Sequence, residues 1–140
     1  MKALGWVVAL CALFFVTAPA SASTVVAKID ISSQRMTVFV NGIPRYNWLV
    51  STARRGYYTP TGNFSAKWLD PDHRSSKYEN APMPHSVFFH GGFAVHGTYA
   101  VGSLGRAVSH GCVRLAPGNA ATLYSLVRAN LGNSRIVIGY

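Results

Sequence analysis

Asn41-Gly42, set between two apolar runs of period two, constrains this chain more than any other short segment. In Arg35–Val40 (RMTVFV), Met36, Val38 and Val40 alternate with Arg35, Thr37 and Phe39. That is the pattern of a strand with one buried face. An Asn-Gly pair is favoured where a two-residue hairpin needs positive φ at both central positions. The chain returns through Tyr46–Val50 (YNWLV). It enters through Val25–Ile31 (VVAKIDI), which is β-branched and partly alternating, and a Ser32-Ser33-Gln34 turn. Three strands with two tight reversals predict an antiparallel β-meander.

Further along, Thr59-Pro60-Thr61-Gly62 predicts a turn and Asn63–Trp68 another strand. Residues 70–85 are polar and carry Pro71, Pro82 and Pro84, which predicts a long surface loop. Ser86–Phe89 and Phe93–His96 read as short strands around Gly91-Gly92, and Tyr99–Gly105 as a Gly-rich connection. One helix is predicted. Pro117 suits its first turn, Leu123, Leu126, Val127 and Leu131 make one apolar face, and Gly132 caps it. Arg135–Tyr140 closes the chain as a strand. The expected fold is mainly β, a sandwich or barrel with one main helix packed against it, in a single domain.

The N-terminus is read separately. Met1-Lys2 is a short basic start, residues 4–16 are an unbroken apolar run, and Pro19 precedes Ala20-Ser21-Ala22. That order predicts a secretory signal peptide over 1–22, cleaved after Ala22. The run is shorter than the ~20 residues that span a bilayer, so no stable membrane anchor is expected. Cys11 lies inside that run, behind Leu10, which argues against lipid attachment. The mature domain is then 23–140, exported and expected in a periplasm, and of the two cysteines it keeps Cys112. A lone thiol in an oxidising compartment is either inert filler or kept for its reactivity. The net charge of +9, mostly from scattered arginines, has no place for nucleic acid outside the cell. It suits a carboxylate-rich polymer or an anionic surface.

The chemistry concentrates in Phe93–Leu115 (FAVHGTYAVGSLGRAVSHGCVRL). A thiol of pKa ~8.5 is mostly protonated at neutral pH. A neighbouring imidazole that takes its proton leaves a nucleophile for an acyl carbon. The tetrahedral oxyanion that follows needs positioned N–H donors, and a turn such as His110-Gly111-Cys112 can gather them. Gly111 permits the unusual backbone angles of such a turn. The residues alone leave His96 and His110 as alternative bases. They also leave a zinc site built from His90, His96, His110 and Cys112 as a rival, although no C-x-x-C or H-x-x-x-H spacing supports it. His73 and His85 read as ordinary loop residues, and Thr98 as a support for the end of the histidine strand.

This segment resembles the L,D-transpeptidase catalytic domain, the YkuD family. The family pattern is His-Gly-Thr/Ser, a spacer, then Ser/Thr-His-Gly-Cys, a hydrophobic residue and Asn or Arg. Here it is His96-Gly97-Thr98, residues 99–108, and Ser109-His110-Gly111-Cys112-Val113-Arg114. Thr59-Pro60-Thr61-Gly62 and Gly91-Gly92 are also similar to family features. The resemblance implies Cys112 as nucleophile and His96 as base, its ring oriented by a backbone carbonyl at Gly97. It implies an oxyanion hole from the backbone of His110, Gly111 and Cys112, with Ser109 and the His110 ring supporting the turn. Arg114 is expected to contact substrate, and Tyr99 and the 70–85 segment to line the cleft. The implied substrates are peptidoglycan tetrapeptide stems, with no cofactor and no metal. The acyl acceptor is a second stem (a 3→3 cross-link), water (L,D-carboxypeptidase action) or an envelope-protein lysine. The alternative function is a non-catalytic basic module that binds the wall or a metal.

Overall fold

A computed structural model of the chain describes residues 3, 5, 12–17 and 23–140. Most of the expected leader, with its cleavage point after Ala22, lies outside the described residues. Two sheets face each other. The first has five strands: β1 (Val25–Asp30), β2 (Arg35–Val40), β3 (Ile43–Leu49), β4 (Gly62–Ser65) and β9 (Ser134–Gly139). Their order is β3-β2-β1-β9-β4. The second has four: β5 (Trp68–Arg74), β6 (Pro82–His90), β7 (Phe93–Gly97) and β8 (Val113–Leu115), in that order. The helix α1 spans Pro117–Ala129.

The meander is present as β1-β2-β3. Asn41 and Gly42 both take positive φ, 52° and 77°, as their hairpin turn requires. The last strand pairs parallel to β1, so the first and last strands lie side by side in the middle of one sheet. Alternation then builds the core. Val25, Ala27, Ile29, Met36, Val38, Ile136 and Ile138 of the first sheet meet Val87, Phe89, Val95, Val113 and Leu115 of the second. Ala120, Leu123 and Val127 bring α1 onto the same core. This arrangement is a sandwich.

Three expectations need correction. Residues 70–85 are a β-hairpin rather than a loop: Asp72 pairs with Pro84, His73 with Met83 and Arg74 with Pro82. The prolines misled the reading. Pro71 lies on the edge strand β5, and Pro82 and Pro84 lie where β6 has no partner on its other side, so no ladder donor is missed. Asn63–Trp68 is not one strand either. Its first part pairs with β9 and its last residue begins β5, the chain crossing between sheets at Ala66-Lys67. Finally, α1 ends at Asn130 rather than Gly132. The Asn130 side chain donates to the Leu126 carbonyl at 3.0 Å, and Leu131–Asn133 form a separate 3₁₀ turn.

Candidate active site

The second sheet has two working faces one residue apart. In β7, Val95 points into the core while Ala94 belongs to a small cluster on the opposite side, with Met83, Phe88 and Cys112. In β8, Val113 and Leu115 are core residues, and Arg114 alternates with them. Parallel pairing sets His96 beside Arg114. Period-two geometry therefore places His96, Cys112 and Arg114 on the outer face, and all three line one cleft of about 1180 Å³.

His96 is 6 % exposed. Its Nδ1 lies 2.7 Å from the Gly97 carbonyl oxygen, an atom that only accepts, so Nδ1 carries the proton and Nε2 is left as an acceptor. Burial lowers the imidazole pKa to about 4, the Gly97 carbonyl opposes this, and Arg114 and His73 add smaller electrostatic lowering. Burial likewise pushes the Cys112 thiol up, against weaker opposing effects of the Ala94 backbone and Arg114. At neutral pH Cys112 is therefore a thiol and His96 a neutral imidazole. The thiol sits 3.9 Å from the Gly92 carbonyl. Burial lowers the pKa of Arg114 from its ordinary value, and the nearby thiol opposes this.

Ser109 ties the turn together. It is fully buried, its Oγ accepts the Gly111 N–H at 3.0 Å, and it donates to the Cys112 carbonyl at 2.6 Å. The Gly111 N–H is thus committed within the turn, which leaves the His110 and Cys112 amides of the three considered for an oxyanion. Gly111 has φ 138°, and a Cβ there would lie 2.7 Å from Phe93 Cε1 and 2.8 Å from the Tyr58 carbonyl oxygen. No side chain fits. The His110 ring stacks on Tyr78 at 4.0 Å and lies 4.9 Å from Tyr57. Burial, then Arg54, Arg114 and Lys77, lower its pKa. Thr98 accepts the Ala100 N–H through its side chain, and the exposed Tyr99 lines the cleft rim.

Several cleft residues were not singled out from sequence. The tip of the β5–β6 hairpin, with Lys77 and Tyr78, forms one wall, and Trp68, stacked 3.7 Å from Phe88, forms part of another. His73 lines the cleft too, 3.0 Å from Asp70, rather than sitting in a loop. Strand pairing across 70–85, the segment the resemblance had put at the cleft, brings them there, and composition gave no sign of that pairing. His90 packs instead against Phe64 at 5.1 Å. Among the described residues no group of three or more His, Cys, Asp or Glu is placed to hold a metal ion.

The frame and cleft define a class first: a mainly β domain of two packed sheets and one helix, with its polar chemistry on the outer face of the smaller sheet. The family follows from comparison. The L,D-transpeptidase catalytic domain (YkuD) model matches residues 24–138, and the chain belongs to that family. Among solved structures it is similar to an L,D-transpeptidase from Mycobacterium smegmatis, with 30 % identity and TM-score 0.75 over 84 % of this chain and 59 % of that one. An L,D-transpeptidase from Mycobacterium tuberculosis H37Rv has 23 % identity and TM-score 0.76 over 84 % and 58 %. L,D-transpeptidase 3 from Mycobacterium tuberculosis in complex with a faropenem-derived adduct has 21 % identity and TM-score 0.73 over 84 % and 61 %. The last two share the fold. The chain spans less than two thirds of the length of each of these structures. No curated protein matches it.

Proposed function

We propose that this chain is an exported cysteine L,D-transpeptidase acting on peptidoglycan tetrapeptide stems. The observation that carries the reading is the tethered, neutral His96 sharing one cleft with Cys112 and Arg114. A low imidazole pKa and a raised thiol pKa disfavour a standing thiolate–imidazolium pair. Proton transfer then accompanies attack, which is general-base catalysis. As the Cys112 Sγ–C bond forms on the carbonyl of the third stem residue, the thiol proton passes to His96 Nε2. The tetrahedral oxyanion is met by backbone N–H groups of the Cys112 turn. Its collapse breaks the C–N bond to the terminal D-Ala, whose amine leaves with the proton from His96. A thioester remains on Cys112.

The acceptor attacks that thioester next. An amine of a second stem gives a 3→3 cross-link, and a protein lysine anchors an envelope protein. Water gives the carboxypeptidase product. Arg114 and the hairpin wall hold the stem peptides, and the faropenem-derived adduct of the similar enzyme suggests that a penem can acylate the same site. Export rests on the residue 1–22 pattern. The test incubates residues 23–140 with purified disaccharide-tetrapeptide and reads products by mass spectrometry, with Cys112→Ala alongside. Dimers lacking one D-Ala support transpeptidation, and trimmed tripeptide alone assigns hydrolysis. Neither product, with the variant behaving like wild type, moves the non-catalytic module to the front.

A further inference from the structure

Thr59 is buried, at 6 % exposure, and does not line the cleft that holds Cys112. It lines a small cavity of about 80 Å³ with Thr52, Ala53 and Tyr58, whereas Cys112 opens on the large cleft. Two contacts fix it. The Ala53 N–H lies 3.0 Å from Thr59 Oγ1, and Thr59 Oγ1 lies 2.8 Å from the Gly111 carbonyl oxygen. An amide N–H only donates and a carbonyl only accepts, so the hydroxyl accepts from Ala53 and donates to Gly111. The direction of this relay is therefore set by its two ends.

The Gly111 carbonyl belongs to the same planar unit as the Cys112 N–H. In a trans peptide these two groups point to opposite sides. Holding the carbonyl on the Thr59 side aims the N–H the other way. The neighbouring peptide groups are held separately, because Ser109 binds the Gly111 N–H and the Cys112 carbonyl. Gly111 at φ 138° has the freedom to let its carbonyl rotate, so this plane needs an external hold.

We propose that Thr59 is a positioning residue: by gripping the Gly111 carbonyl it orients the Gly111–Cys112 peptide so that the Cys112 N–H meets the acyl oxygen as it becomes an oxyanion. The proposal rests on the acyl-transfer reading of the site. It separates two reactions of one thiol. Acylation by a penem forms the Sγ–C bond on the lactam carbonyl and passes through an oxyanion before the lactam C–N bond breaks and its nitrogen takes the proton. Alkylation by iodoacetamide forms the Sγ–C bond with loss of iodide and of the thiol proton, and has no oxyanion.

The experiment compares both rates, by intact mass, in wild type, Thr59→Val and Thr59→Ser, with thermal melts of each. Thr59→Val keeps the shape and loses the hydroxyl. It is expected to slow acylation by about 10- to 100-fold, the scale of a misplaced catalytic group. Alkylation should stay within about twofold, as no oxyanion donor takes part in it. Thr59→Ser should restore acylation. Equal slowing of both reactions, or a slow Thr59→Ser that folds like wild type, would overturn the positioning role. An acylated wild type matched by Thr59→Val would sink this proposal alone. A wild type that alkylates but never acylates would sink the acyl-transfer reading and the proposal together.

Discussion

The two sheets share one hydrophobic core, and they differ in what their other faces do. Outside the five-stranded sheet, Arg35 donates to Asn47 at 2.7 Å and Asn47 to Thr37 at 3.0 Å, a solvated polar lattice over a sealed layer. Outside the four-stranded sheet lie His96, Cys112 and Arg114, in a cleft that the tip of the β5–β6 hairpin also lines. Strand alternation explains how this is done at little cost to stability. Val95 and Val113 hold the sheet down from one side while their immediate neighbours face the cleft. Stability and chemistry should therefore separate by face, residue by residue.

The largest expected effect tests the cleft face. His96→Ala should lower the rate of Cys112 acylation by about 10²- to 10⁴-fold, the usual worth of a general base. Its melt at neutral pH should change far less than its rate. A variant that unfolds instead would break the separation. On the core face, Phe89→Ala removes a fully buried ring shared by both layers. It should cost about 3–5 kcal/mol of unfolding free energy in denaturant titrations. Acylation of whatever fraction stays folded should remain near wild type.

The pH dependence of stability sharpens the contrast further. The pKa of His96 is lowered in the folded state, from 6.5 to about 4. Between those values the unfolded chain binds the extra proton, so stability is full above 6.5 and falls as pH drops through 4. The shift corresponds to about 3 kcal/mol. Wild type should lose that much more than His96→Gln on going from pH 7 to below 4. Equal losses would mean the ring is not held neutral by its burial. The smallest effect is at the hairpin wall of the cleft. Tyr78→Ala removes the stack on His110 and should cost about 0.5–1.5 kcal/mol, read in melts. A change in the substrate concentration dependence of turnover should accompany it, with Cys112 alkylation unchanged.

Much of this organisation was legible in the residues. The Asn41-Gly42 turn and the period-two runs around it specify the meander, because turn chemistry and alternation are local signals. His96, Ser109, His110, Gly111 and Cys112 were singled out by the resemblance of their motifs to a known family, since the residues alone left His96 and His110 as alternative bases. What the sequence hid depends on pairing between distant segments. Proline-rich 70–85 looks like a loop until β5 is seen to be an edge strand, so the resemblance could place the segment at the cleft as a whole, but neither its individual residues His73 and Tyr78 nor Trp68 before it could be picked out. The Thr59–Gly111 contact spans 52 positions, and no local pattern marks a hydroxyl that grips a carbonyl so far along the chain.

The most direct test of the central claim is to trap the acyl-enzyme. Residues 23–140 would be treated with a penem, weighed intact, digested and mapped. The account predicts one adduct per chain, on Cys112, forming slowly in His96→Ala and absent from Cys112→Ala. An unmodified wild type, or an adduct on any other residue, would contradict it.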